Sequence, residues 1–130
     1  MTDLSDSLAL AASGMRAQAA RLRLVSENMA NMDTPGFRRK TAAFEQVMNS
    51  ATTSGLVKQG DVRLDKSQLP KIFDPAHPMS DAGGYYEGSN VNLIVEMADA
   101  REAQRSYEAN LKMFEQTRKM SSAVLDILRR

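Results

Sequence analysis

The chain has 130 residues and no cysteine, and its 17 basic and 16 acidic residues leave a net charge of +1. This balance excludes the basic surface that phosphate binding requires, so no nucleic acid is expected as a partner. The absence of cysteine excludes disulfides and thiolate metal sites. Leu, Ile, Val and Phe supply only 26 residues, which excludes a large private core.

The first thirty residues have the periodicity of a long amphipathic helix. Apolar residues recur with spacings of three and four, interrupted only by Gln18, at Leu4, Leu8, Ala11, Met15, Leu22, Val25 and Met29. Pro35 and Gly36 then favour a turn. The sequence therefore predicts a helical segment over 1–31. Its acidic start and short apolar run are not those of a secretory signal peptide.

The middle segment, 32–89, holds all four prolines and six of the seven glycines. Phe37, Phe44 and Val47 suggest a short amphipathic segment after the turn. Gly60-Asp61, flanked by short β-prone runs, predicts the turn of a small hairpin. Further turns are expected at 74–78 and at 83–84.

The last segment, 90–130, repeats the helical pattern without Gly or Pro after residue 90, and Asn90 or Asn92 is the expected N-cap. Its main 3-4 series is Leu93, Met97, Ala100, Tyr107, Leu111, Phe114, Leu125 and Leu128, with a second stripe at Met113, Met120, Val124 and Ile127. The wider apolar face suits more than one neighbour. Ion pairs between Glu and Lys four residues apart are expected at 108–112 and 115–119. A helix of about 40 residues is roughly 60 Å long, so an elongated molecule is expected.

No catalytic constellation emerges from the sequence. His77, the only histidine, lies near no partner at a spacing that would orient a base or complete a metal site, so a structural or solvated role is expected. Gly83-Gly84 lacks the spacing of a phosphate loop. The basic run Arg38-Arg39-Lys40 is expected to form a solvated or partner-facing corner. We therefore expect no enzymatic activity and no cofactor or metal.

Two polar elements remain unexplained by helix packing. The first is Ser13-Gly14, Arg21-Leu22 and the run from Asn28 to Arg38, and the second is Glu96-Met97 followed by Arg105-Ser106-Tyr107-Glu108-Ala109-Asn110. Together they resemble the motifs of the bacterial flagellar rod, hook and filament axial proteins. The second element, the short length and the segment 73–78 are most similar to the proximal-rod members of that family.

The resemblance implies a mainly α fold in which the two terminal helices pair as an antiparallel coiled coil, with a small irregular or β-hairpin middle section. It implies a structural subunit of the flagellar proximal rod, which transmits torque from the membrane ring to the distal rod and hook. The implied partners are other copies of the chain, the sister rod protein FlgB, distal-rod proteins, the rod-to-membrane-ring adaptor FliE, the membrane ring and the flagellar type III export apparatus. The implied location is the periplasmic rod of the basal body, reached without signal cleavage.

Within this interpretation, one set of apolar residues is expected to line the coiled-coil or subunit interface: Leu8, Met15, Leu22, Val25, Met29, Leu93, Met97, Tyr107, Leu111 and Phe114. A second set comprises the family-motif positions expected to make polar contacts: Asn28, Asn31, Thr34, Gly36, Arg105 and Asn110. Four of them are expected to form hydrogen bonds at subunit contacts: Asn28, Asn31, Arg105 and Asn110.

Two other functions remain open on the sequence. A cytosolic coiled-coil adaptor or export chaperone would explain the heptads, although not the two asparagine-containing motifs. A small hydrolase or transferase would have to depend on His77 as its base.

Overall fold

The computed structural model describes residues 2–48 and 55–130. Two long helices flank a middle section of short strands, which confirms the expected mainly α architecture. The helices are α1 (Thr2–Ala30) and α2 (Leu93–Arg129), and the strands are β1 (Lys40–Gln46), β2 (Val57–Leu64), β3 (Lys71–Phe73) and β4 (Tyr85–Glu87).

The two helices pack antiparallel. Asn28, near the end of α1, lies beside Glu96, near the start of α2. Gly14, in the middle of α1, faces Asn110 in the middle of α2. Since α2 has 37 residues and α1 has 29, α2 is longer by about 12 Å, and its last turns extend beyond the first residue of α1.

The end of α1 and the start of α2 both follow from local chemistry. After Ala30 the chain turns at 31–36, where Gly36 adopts φ +74° and its N–H donates to the carbonyl of Glu87 at 3.1 Å. Of the two candidate caps for α2, Asn92 is the N-cap, because its Oδ1 accepts the N–H of Ile94 at 3.0 Å. Asn90 instead accepts the N–H of Arg39 at 2.6 Å and so holds the entry to β1 against the entry to α2.

The strands form two separate antiparallel hairpins, β1–β2 and β3–β4. The prediction of a turn at Gly60-Asp61 is wrong, because both residues lie inside β2. They fall where the register with β1 shifts, opposite Ala43, and a Cβ on Gly60 would come within 3.1 Å of the Ala43 carbonyl. Gly60 therefore permits close approach at a bulge. The amphipathic segment expected around Phe44 is the strand β1, and the Phe44 side chain is exposed.

The loop from β3 to β4 contains the turns expected at 74–78 and 83–84. Gly84 has φ +83°, and Asp81 Oδ1 accepts the N–H groups of Gly83 and Tyr85. The imidazole of His77 stacks on Tyr86 with ring centroids 4.0 Å apart, and its Nδ1 accepts the N–H of Met79 at 3.1 Å. His77 therefore contributes to the structure of this loop.

The buried apolar core of the described residues is small: Ala11, Ala17, Val25, Leu69 and Ala103. Three of these five are alanines of the two helices, so close backbone approach rather than bulky side chains characterises the helix pair. Neither helix carries an apolar stretch long enough to cross a membrane, within the residues that are described.

Candidate interface site at the helix pair

Asn28 joins three elements of the fold: α1, the start of β1 and the start of α2. Its Oδ1 accepts the N–H of Lys40 at 2.8 Å, and its Nδ2 donates to the Lys40 carbonyl at 2.9 Å. The same Nδ2 lies 3.3 Å from Glu96 Oε2. Asn28 is 1% exposed, so these partners satisfy an amide that water cannot reach.

Glu96 is a carboxylate with no solvent exposure, and Arg39 is its counter-charge. Arg39 Nε donates to Glu96 Oε1, while its Nη2 lies 2.6 Å from Asp99 Oδ2. Burial alone lowers the pKa of Arg39, but the hydrogen bond to Glu96 and the attraction of Glu96, Asp99 and Asp65 outweigh it, so its pKa is raised. The guanidinium is therefore always charged at this junction.

Further ion pairs extend this junction along the helices. Arg21 Nη2, on α1, lies 3.3 Å from both Asp99 Oδ1 and Glu102 Oε2 on α2. At the other end, Lys40 Nζ pairs with Glu27 Oε1. We call the group of Arg21, Asn28, Arg39, Glu96 and Asp99 the Glu96 network. It connects both helices to the first hairpin.

The Glu96 network shows where the sequence interpretation of the basic run was wrong. Arg38, Arg39 and Lys40 were expected at a solvated or partner-facing corner, yet each is bound within the chain. Arg38 Nη1 donates to the carbonyls of Asp65 and Ser67 at 3.2 and 2.9 Å. Arg39 was named only as a member of this basic run, because its partner Glu96 is 57 residues away in the sequence.

A second close contact between the helices involves the motif residues Gly14 and Asn110. A Cβ on Gly14 would lie 2.8 Å from Asn110 Oδ1, so only a glycine lets the asparagine approach α1 in this way. Asn110 is held by its Nδ2, which donates to the Ser106 carbonyl at 2.9 Å. Next to Gly14, the Ser13 hydroxyl accepts the N–H of Val57 at 3.2 Å and thereby joins β2 to α1.

The remaining motif positions divide into turn residues and an exposed cation. Asn31 Nδ2 donates to the Glu27 carbonyl at 2.8 Å, and the Thr34 hydroxyl donates to Asn31 Oδ1 at 3.1 Å, so both stabilise the turn that Gly36 completes. Arg105 is exposed on α2. Asn28 was expected at a contact between subunits, but its amide is fully engaged inside the chain.

The expected apolar interface residues differ in burial. Val25 is buried, whereas six are half-buried: Leu8, Met15, Leu22, Met29, Tyr107 and Phe114. Leu93, Met97 and Leu111 are exposed. The buried positions of α2 are instead Glu96, Ala103 and Thr117. The helix pair is therefore closed by small and polar residues, and contact of the exposed apolar residues with other subunits stays a prediction.

This arrangement joins α1, α2 and the start of β1 through paired charges. No group of three or more His, Asp or Glu side chains is placed there to hold a metal ion. The charged groups are paired with one another across the helices, which is the chemistry of a structural junction.

Comparison with known proteins identifies both ends of the chain. Residues 8–38 match the family model described as flagella basal body rod protein, and residues 82–127 match the model for the C-terminal part of flagellar basal body rod FlgEFG proteins. The first match covers Asn28 and Arg38, and the second covers Glu96 and Asn110. The two matched regions therefore meet at the Glu96 network and at the Gly14 contact.

Curated relatives align over nearly the whole length. The flagellar basal-body rod protein FlgC of Agrobacterium fabrum is 40% identical, with 99% of this chain and 98% of the relative covered. The FlgC proteins of Aquifex aeolicus and Borreliella burgdorferi are 37% and 33% identical, covering 92% and 96% of this chain and 93% and 97% of their own. The resemblance found in the sequence is confirmed: the chain belongs to the FlgC family of flagellar basal-body rod proteins.

Proposed function

We propose that the chain is a packing subunit of the proximal rod, and that it assembles helically into the shaft that carries torque from the membrane ring to the distal rod and hook. The observation that carries this proposal is the difference between the residues inside the helix pair and those on its outer surface. Small and polar residues close the pair internally, while large apolar side chains such as Ile94, Met113 and Ile127 remain exposed on α2. Exposed apolar surface of this extent is typical of a subunit that is buried in an assembly.

The proposed partners are those that surround a proximal-rod subunit: further copies of the chain, FlgB, distal-rod proteins, FliE and the membrane ring. We also propose transit through the flagellar type III export apparatus to the periplasmic part of the rod. Membership of the FlgC family of basal-body rod proteins supports both proposals.

Location in the basal body tests the proposal directly. Antibody labelling of purified basal bodies, viewed by electron microscopy, is expected to place the chain in the rod below the hook. A chain that stays in the cytosol of cells with working flagella would contradict the proposal and favour an adaptor or export chaperone.

Substitution on α1 tests the packing role. Leu22 is half-buried, so Leu22→Asp places a charge at the edge of the helix pair and is expected to abolish swimming while flagellar transcription continues. Ser26→Asp, which adds the same charge at an exposed position of α1, is the matched control and should swim normally. Normal swimming of the Leu22→Asp strain would refute the role of Leu22 in packing.

A further inference from the structure

The second half of α2 carries an exposed apolar stripe beside the face that packs on α1. Met113, Met120 and Ile127 are seven residues apart and are 64%, 51% and 72% exposed. With these three at the a positions of a heptad, the d positions hold two alanines and a glutamine, all of them exposed: Ala109, Gln116 and Ala123. The stripe has the period of a coiled-coil seam and extends over about 27 Å.

The two edges of the stripe differ in what surrounds them. One edge, formed by the g positions, carries three exposed charged residues: Lys112, Lys119 and Asp126. None of the three forms an ion pair within the described part of the chain, so the pairs expected at 108–112 and 115–119 are not formed. The other edge, formed by the e positions, faces α1, since Asn110 contacts Gly14 and Thr117 is 8% exposed. Only the charged edge is therefore free to meet a partner.

The covered edge decides how a second copy of α2 could lie on the stripe. In a parallel pair each g edge faces the e edge of the other helix, so Lys112 and Lys119 would have to occupy the space of the other copy's α1. In an antiparallel pair g faces g and e faces e, and the two α1 helices lie on the same side. An antiparallel pair of two copies therefore leaves room for both α1 helices, as in a four-helix bundle.

The apolar layers of the stripe are complementary to the same stripe running in the opposite direction. When Met120 of one copy faces Gln116 of the second, every a position faces a d position along the whole stripe. Met113 and Ile127 then each face an alanine, and every contact occurs twice because the pairing has twofold symmetry. Large side chains thus meet small ones in most layers, which lets the two helices approach closely.

The same register pairs charges of opposite sign on the free edge. Lys112 of each copy faces Asp126 of the other, so this ion pair forms twice, while Lys119 faces its own counterpart at the twofold axis. A shift of one heptad in one direction would set Lys112 against Lys119 twice. A shift in the other direction would set Met113 against Arg130 and lose an apolar layer. The stripe is therefore its own complement in both side-chain size and charge, which favours a second copy over an unrelated helix.

We propose that two free copies of the chain pair antiparallel through this stripe, with Met113, Met120 and Ile127 buried in a twofold dimer. A twofold contact closes on itself and cannot continue into a helical rod. The dimer is therefore a state of the free subunit, which covers the stripe and competes with assembly. The pairing itself does not depend on the proposed rod function, which the location of the chain in basal bodies tests separately.

Sedimentation equilibrium of the full chain over a range of concentrations tests the dimer. The wild-type chain should dimerise reversibly, and Met120→Asp, which places a charge in a central layer, should abolish the dimer. Arg118→Asp introduces the same side chain at an exposed position on the opposite face of α2 and should dimerise like the wild type. Circular dichroism checks that each variant keeps its helix content. A wild-type chain that stays monomeric at about 1 mM, or a dimer that Met120→Asp leaves intact, would overturn the proposal.

Exchange of charges tests the register. Lys112→Asp and Asp126→Lys each turn two ion pairs into like-charge pairs, so each should weaken the dimer about tenfold. The double variant Lys112→Asp/Asp126→Lys restores both ion pairs with the charges exchanged and should recover the wild-type affinity. Lys119→Gln should strengthen the dimer, because it removes the like-charge contact at the twofold axis. A double variant that fails to recover, or a weaker dimer in Lys119→Gln, would overturn the proposal.

Spin labels measure the orientation of the two helices, and the absence of cysteine from the chain allows each label to be placed at a single position. Labels on Lys119→Cys lie beside the twofold axis, so electron–electron resonance should give a short distance between the two copies. Labels on Arg105→Cys should be about 40 Å apart along the axis of an antiparallel pair. Equally short distances at both positions would indicate a parallel pair and overturn the proposal.

Discussion

Removal of Arg39 should cost more stability than removal of the charge on its partner Glu96. In Arg39→Met the carboxylate of Glu96, with no solvent exposure, keeps Asn28 Nδ2 at 3.3 Å as its only donor among the described residues. An uncompensated buried charge of this kind costs about 3–5 kcal/mol. In Glu96→Gln the guanidinium of Arg39 is 19% exposed and still has Asp99 at 2.6 Å. The expected loss is about 1–2 kcal/mol, the cost of one weakened hydrogen bond.

The double variant makes the argument quantitative. Arg39→Met/Glu96→Gln removes both charges, so it should be more stable than Arg39→Met alone and show a coupling energy of at least about 1 kcal/mol. Each free energy of unfolding is measured by urea titration, followed by circular dichroism at 222 nm. Arg63→Met, at an exposed arginine of β2, is the control and should change stability by less than about 0.5 kcal/mol. Equal losses in the two single variants, or an additive double variant, would refute this reasoning.

Three further predictions concern single positions. Gly84→Ala forces a side chain into φ +83° and within 2.9 Å of an aromatic ring, so unfolding free energy should fall by about 1–3 kcal/mol, while Gly83→Ala in the same titration should cost less. Gly14→Ala should lower the thermal midpoint of unfolding although alanine has the better helix propensity, because the new Cβ clashes with the side-chain amide of Asn110. Adding Asn110→Ala should restore the midpoint. An unchanged midpoint in Gly14→Ala would contradict the contact. The backbone N–H and the hydroxyl of Ser67 donate hydrogen bonds that hold the pKa of Asp65 below its usual value. The stabilising contribution of Asp65 is therefore present at neutral pH and lost as the pH falls below about 4. Asp65→Asn should reduce the acid dependence of stability, and an unchanged pH profile would exclude this role.

The two helices and their ends could be predicted because their signals are local. The 3-4 spacing from Leu4 to Met29, the break at Pro35 and the cap at Asn92 are all readable within a few residues. The bulge at Gly60 could not, because a Gly-Asp pair favours a turn unless the strand beside it is known. That strand, β1, precedes it by more than ten residues.

The seam of the helix pair was harder to predict, because hydrophobic periodicity weights large side chains. On α2 the helix pair is closed at Glu96, Ala103, Asn110 and Thr117. These small and polar residues are spaced by seven and lie one position before the apolar series. The recurrence of small and polar residues at seven-residue intervals from Glu96 is the signal that could have revealed it. The counter-charge of Glu96 is Arg39, which is 57 residues away in sequence and could be assigned only from the fold.

The close approach of the helices at Gly14 and at Glu96 has a mechanical consequence. On α1 these two contacts are 14 residues apart, or about 21 Å along the axis, and both depend on one particular alignment of the helices. Sliding α2 by a single heptad, about 10.5 Å, would break the ion pairs that Arg21 and Arg39 form with it and drive side chains into the space beside Gly14. An apolar interface of interchangeable leucines would, in contrast, make nearly equivalent contacts after a displacement of one heptad. The helix pair should therefore resist shear along its length and behave as a single stiff strut when loaded from one end.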